Sequence, residues 1–209
     1  MMYRYIRKLP VLGLLLGVLP GCGDASAGAE VAGAAETQRG TRGVVDSVFP
    51  IEEEIRRFQR TVGERPTALS GGAKSREALV SAFIDALERS DTLALGTFVM
   101  NRAEFIHLYF PHTVYTSAPY ELSPEIVWFQ MLNHSSRGIT RAVQRLAGQT
   151  LHYSGYSCSE SPTVEGPNRV WERCVVRIAP NGEPFELRLF GLILEREGRF
   201  KFVTYGNDL

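Results

Sequence analysis

Apolar positions fall into two regimes along the chain. From Phe49 to about residue 148 they recur at helical spacing; from about residue 150 they alternate as in strands. Ile51, Ile55 and Phe58 share one face of a short helix, with Glu52–Arg56 and Glu53–Arg57 as four-residue acid–base pairs on the other. Gly71-Gly72 interrupts the chain, and Ser75 predicts the cap of a helix running to about Ser90, with Leu79, Phe83 and Leu87 as its stripe. Asp91 predicts the next cap, over a short helix holding Leu93, Leu95 and Phe98. Asn101 and Glu104 have the spacing of a capping box, ahead of a helix with Phe105, Ile106, Leu108 and Tyr109 that stops at Pro111. Ser123-Pro124 predicts a capped helix to about His134, burying Val127, Trp128, Met131 and Leu132. A further helix is expected over about 136–147, ended by Gly148.

The last sixty residues predict strands over 150–158, 169–179, 185–195 and 199–205. Asn181-Gly182 is a two-residue hairpin signal whose register sets Ile178 against Phe185, Val176 against Leu187, Cys174 against Leu189, and Arg177 against Glu186. A two-residue turn at Glu197-Gly198 sets Phe202 beside Ile193; a three-residue turn with a bulge shifts the pairing by one. On this register Trp171, Val175, Phe190, Leu192 and Leu194 face away from Ile178, Val176 and Leu187, with Arg173, Arg177 and Arg188 interspersed. Both sheet faces are then apolar, and a face in water should be mostly polar. The expected cover is the 44–66 segment, a helical extension, or a second copy in a homodimer. The plan is α+β: helices packed on a curved four-strand antiparallel sheet.

The first 22 residues, MMYRYIRKLPVLGLLLGVLPGC, change the picture of where the domain works. Arg4, Arg7 and Lys8 precede an apolar run from Leu9 to Leu19 that as helix reaches only about 16 Å, against the ~30 Å of a hydrocarbon core. This is the form of a secretory signal peptide, 1–21. Leu19-Pro20-Gly21-Cys22 resembles the lipobox of bacterial lipoproteins. The resemblance implies that Cys22 becomes the acylated first residue, anchored in the membrane by lipid, at the cell envelope. Gly23 rather than Asp after Cys22 implies the periplasmic side of the outer membrane in a diderm organism. Residues 22–43, rich in Ala, Gly and Ser and without an apolar face, read as a flexible tether to a single domain, 44–209.

Charge is balanced, 23 basic against 23 acidic, so no global field points to nucleic acid. Without Arg4, Arg7 and Lys8 the count is 20 against 23. With Cys22 assigned to lipid, Cys158 and Cys174 remain as a pair in an oxidising compartment, and a disulfide between them closes a turn-rich loop. It would set Tyr156 opposite Val176.

The order of elements, the tail LILEREGRFKFVTYGNDL and the stretch LVSAFIDALERSDTLALGTFVMNRAEFIHLYFP (Leu79 to Pro111) resemble the NTF2-like (cystatin-like, SnoaL-like) superfamily over roughly 75–209. The resemblance implies a bent sheet wrapped around helices as a cone, with an apolar pocket and an outer sheet face that pairs copies.

Chemistry is sparse. None of HExxH, GxSxG, GxxxxGK[ST] or GxGxxG after a strand is present, and the histidines have no metal-ligand spacing. No cofactor or metal is expected. His107 reads as a half-buried helix residue with one hydrogen bond, and His134 as a cation closing a helix. Glu104, Tyr109, His134 and Tyr153 are the candidates for lining a pocket; no family catalytic residue maps onto them. Arg137, Arg141 and Arg145 form a basic stripe, read as a solvated face or as a contact for anionic headgroups. The expected role is binding or scaffolding of an unidentified small molecule or partner. The alternative is a small acid/base enzyme acting on an apolar substrate.

Overall fold

The computed structural model describes residues 49–63 and 65–209. The expected signal peptide, Cys22, the expected tether and the first residues of the expected extension lie outside the described residues. Among the described residues there are five α-helices: α1 (Ile51–Arg60), α2 (Arg76–Glu88), α3 (Thr92–Phe98), α4 (Arg102–Glu104) and α5 (Pro124–Leu146). Seven strands follow: β1 (Gly155–Ser157), β2 (Thr163–Glu165), β3 (Asn168–Trp171), β4 (Val175–Ile178), β5 (Phe185–Leu187), β6 (Ile193–Arg196) and β7 (Arg199–Phe202). They form two antiparallel sheets, β1-β4-β5 and β2-β3-β6-β7. The molecule is α+β, with two sheets where one of four strands was expected. The two expected central strands each break and pass from one sheet to the other. The first breaks at Arg173, whose φ is 52°; the second breaks across residues 188–192. The expected first strand shrinks to β1, and β2 forms inside the turn-rich loop between the cysteines.

The caps explain the helix starts. Ala78 donates to Ser75 Oγ at 3.0 Å, and Ala94 donates to Asp91 Oδ1 at 2.9 Å. Asn101 and Glu104 complete both halves of the capping box. After α4 the helix widens into a π-helical stretch, Phe105–Tyr109, in which Phe110 N–H reaches Phe105 O. Ser123 makes no side-chain cap; its hydroxyl lies 3.2 Å from Glu54 Oε2 and ties the start of α5 to α1. Of the expected pairs on α1, Glu53 gathers Arg56, Arg57 and Arg60 at 3.0–3.4 Å, while Glu52 takes no part.

The two helices expected at 124–134 and 136–147 are one, α5. Ser135, Ser136 and Gly138 do not break it, because Gly138 is where it meets the C-terminal tail. A Cβ there would lie 1.6 Å from Tyr205 O. His134 is therefore interior to a helix and closes none, a correction to its reading as a terminal cation. Leu132, expected buried, is 48% exposed.

Register follows the sequence closely. Val176 pairs with Leu187, Arg177 with Glu186, Ile178 with Phe185, Tyr156 with Val176 and Ile193 with Phe202. The Glu197-Gly198 turn is the two-residue form, with φ of 52° and 75°. At Asn181-Gly182 only Gly182 has positive φ, and its N–H reaches Ala179 O at 3.0 Å. Pro180 and Pro184 cannot donate to a ladder, so pairing stops at Ile178–Phe185.

Two apolar clusters fill the molecule. The first joins α2, α3 and the inner face of α5 to the strands. Its centre is aromatic: Phe83 packs on Phe190, Phe202 and Tyr205 with ring centroids 5.8, 5.3 and 5.4 Å away. The second joins Phe58 of α1, Phe105, Ile106 and Phe110 to Val170, Leu194 and Val203. The far side of the sheet is thus covered at Leu194 by the second cluster, to which the π-helical stretch and Phe58 of α1 belong. Trp171 and Phe190, expected on that far side, lie instead in the first cluster with Val176 and Ile178. The strand breaks rotate them, an effect that register counting from one hairpin does not carry across a bulge.

Cys158 and Cys174 are joined by a disulfide across 16 residues. No helix among the described residues is long and apolar enough to cross a membrane.

Candidate functional site

The outer side of α5, facing the strand residues 188–192 and the tail 203–207, holds two adjoining cavities. The inner end measures about 250 Å³ and is lined chiefly by Val127, Met131, Leu192, Val203 and Tyr115, with Tyr109 and His134. The outer end measures about 380 Å³ and is lined by Arg137, Arg141, Arg188, Asn207 and backbone at Gly191 and Gly206. His134 and Thr204 line both. The period of α5 explains the arrangement. Val127, Gln130, Met131, His134, Arg137 and Arg141 recur at three- and four-residue steps, so they lie along one helical face.

Tyr109 ends the π-helical stretch, where the extra residue per turn re-aims the side chain. It is 5% exposed, and its hydroxyl makes no hydrogen bond to the described residues. Burial, with Glu165 and Tyr115 nearby, pushes its phenol well above the ordinary value. At neutral pH it is a hydrogen-bond donor and not a base. The guanidinium of Arg141 is held in place: Nε donates to Asn207 Oδ1 at 3.2 Å and Nη2 to Asn207 O at 3.1 Å. Asn207 is itself fixed, donating to Gly138 O at 2.7 Å. Arg188 pairs with Asp208. Arg137 pairs with no carboxylate among the described residues.

Of the four expected pocket residues, Tyr109 and His134 line the same cavity. Glu104 and Tyr153 lie elsewhere. Glu104 is fully buried and satisfied. It takes Ser70 N–H at 2.7 Å, Ser70 hydroxyl at 2.8 Å, Asn101 N–H at 2.9 Å and Lys201 Nζ at 2.9 and 3.2 Å. It is a structural anchor joining the 70-loop, α4 and β7. Tyr153 lies with Arg76, Glu77 and Tyr156 at a shallow surface beside the disulfide, where Tyr156 donates to Glu77 at 2.9 Å. Of the basic stripe, Arg137 and Arg141 line the outer cavity and Arg145 does not. His107, expected to make one hydrogen bond, makes none among the described residues: both ring nitrogens are buried without a partner there.

Two residues of the cleft, Arg188 and Asn207, and one of the Glu104 anchor, Lys201, were missed in the sequence. Arg188 arrives from the break between β5 and β6, Asn207 from the tail, and Lys201 is buried between Phe200 and Phe202. Only Lys201 carries a local signal, a lone charge in an apolar strand. A second groove, about 440 Å³, runs along the opposite side of α5 against α3, lined by Leu95, Val99, Leu132, Ile139 and Val143. No group of three or more His, Cys, Asp or Glu side chains stands within reach of one metal ion among the described residues.

No protein-family model, curated protein or solved structure matches this chain.

Proposed function

We propose that this chain is a lipid-anchored protein of the bacterial cell envelope whose folded domain, an NTF2-like cone, binds a ligand or partner without transforming it. The anchor rests on the basic n-region, the short apolar run and the lipobox at Cys22. The Cys158–Cys174 bridge supports an oxidising compartment. The cone rests on the order of helices and strands, and on strands that turn from one sheet to the next around α2. Partnering through the outer sheet face is not needed for Leu194, which is buried in the second cluster among the chain's own side chains.

The observation that carries the binding reading is the aromatic centre. Phe83, Phe190, Phe202 and Tyr205 fill the space between α2 and the strands, where an acid/base enzyme of this plan would hold substrate. The cavities outside that centre are lined by guanidinium, phenol, imidazole and hydrocarbon, with no carboxylate in either. The second reading, an acid/base enzyme on an apolar substrate, draws on Tyr109 and His134 lining one cavity. Native mass spectrometry of the chain purified from its own envelope separates the two. A retained molecule of unchanged mass after prolonged incubation is expected; conversion to product favours the enzyme. Labelling with radioactive palmitate tests the anchor. Label is expected in the intact protein and absent after Cys22→Ser, and unlabelled intact protein refutes it.

A further inference from the structure

We infer that the two adjoining cavities on the outer side of α5 form one binding site for a single-chain anionic amphiphile, with the hydrocarbon at the inner end and a carboxylate or phosphate at the outer end. The inference deepens the binding reading above and rests on it. Its basis is the polarity gradient along one cleft. The inner end is walled by Val127, Met131, Leu192 and Val203, and the outer end by three guanidinium groups. His134 and Thr204 form the junction, so a molecule filling both ends passes between them.

Three features separate the outer end from an ordinary solvated basic face. First, its cations come from two distant parts of the chain: Arg137 and Arg141 from α5, Arg188 from the strand region. Their convergence is a tertiary fact and not a helical repeat. Second, the Arg141 guanidinium is already ordered. Asn207 holds two of its nitrogens, and Gly138 O holds Asn207 in turn. Ordering a flexible side chain is part of the cost of binding, and here it is met beforehand. Third, two of the three charges are uncompensated. Asp208 pairs Arg188, while Arg137 and Arg141 have no carboxylate partner among the described residues. Guanidinium groups suit carboxylate and phosphate oxygens because their donors form a planar fork. The half-buried Leu192 is accounted for by the same site: it packs against the second cluster and lines the hydrocarbon end.

The test uses the full acylated chain in phosphatidylcholine nanodiscs, read by its thermal unfolding midpoint, since a ligand that prefers the folded state raises it. The probes are dodecanoate, dodecyl phosphate, dodecanol and inorganic phosphate. Dodecanoate and dodecyl phosphate are expected to raise the midpoint saturably; dodecanol and inorganic phosphate at the same concentration are not. Arg137→Glu is expected to weaken dodecanoate at least tenfold, whereas Arg145→Glu, on the same helix outside the cleft, leaves it unchanged. Leu192→Asp is expected to weaken the twelve-carbon probes, and its unliganded midpoint reports whether it folds. Equal effects of Arg137→Glu and Arg145→Glu reduce the result to surface charge and overturn the site. Binding of inorganic phosphate as tight as dodecyl phosphate makes it a plain anion site and overturns the amphiphile. Phosphatidylglycerol nanodiscs that shift the midpoint with no probe added assign the cations to the bilayer surface, with the same consequence. Failure of the broader reading looks different: dodecanoate binds, but mass spectrometry finds it chemically altered.

Discussion

Gly138 shows how much one residue decides. It lies in the middle of a 23-residue helix, where glycine ordinarily costs about 1 kcal/mol against alanine. Here alanine is the worse choice, because its methyl would enter Tyr205 O. Gly138→Ala is expected to cost about 3 kcal/mol, as overpacking against rigid backbone does, and to loosen Asn207 and with it Arg141. Urea unfolding measures the first effect. The unpartnered titratable groups set the pH response. Burial, with Arg65 nearby, holds His107 below the ordinary 6.5. The unfolded chain therefore binds a proton first, and stability is lost as pH falls through and below that range. Glu165 has the opposite sign. Burial and Glu172 raise its carboxyl above 4.5, so stability is lost as pH rises from there through the folded value. His107→Gln should flatten the acidic loss below about 6.5, and Glu165→Gln should raise stability at neutral pH. Unfolding midpoints measured from pH 4 to 8 check both.

At the scale of elements, the Glu104–Lys201 pair joins pieces that no local rule joins. The capping box was readable from Asn101 and Glu104 alone. Its second use was not, because Lys201 and Ser70 reach Glu104 only after β7 has docked. Removing the cation strands a buried carboxylate, so Lys201→Met is expected to cost about 3–5 kcal/mol. The double variant with Glu104→Gln is expected to cost less than the two single costs added, a coupling that urea unfolding of all four proteins reads. The disulfide acts on a different pair of elements. It ties the end of β1 to the start of β4 across a loop that includes β2 and β3. Reduction is expected to lower stability by about 3 kcal/mol, the chain-entropy value for a loop near fifteen residues, seen as a lower urea midpoint in reductant. The expected pairings of Val176, Arg177 and Ile178 hold, since side-chain alternation and a turn centre fix register locally. The strand breaks do not follow from that alternation; they overturn the expected facing of Trp171 and Phe190, while Leu192 and Leu194 keep the expected side, in the second cluster.

At the scale of the molecule, the two apolar clusters are joined through one strand and its extension. Phe202 belongs to the first and Val203 to the second, and Leu194 of the second neighbours Ile193 of the first. Neither cluster loses its strands without exposing the other. Unfolding of the domain is therefore expected to be a single transition, with near-ultraviolet and far-ultraviolet dichroism giving one midpoint; two separated midpoints would show the α1 layer melting alone. The sequence by itself determined the capped helix starts at Ser75, Asp91 and Asn101, the pairings next to the two turns, the cysteine pair and the spacing that sets Arg137 and Arg141 on one helical face. These depend on neighbours a few residues apart, on one turn, or on there being a single partner left. Only the tertiary structure decided that α5 runs unbroken, that Glu104 is an anchor, and that Arg188 and Asn207 complete a cleft with α5. Those outcomes depend on backbone approaches between segments some fifty to a hundred residues apart, which no periodicity records.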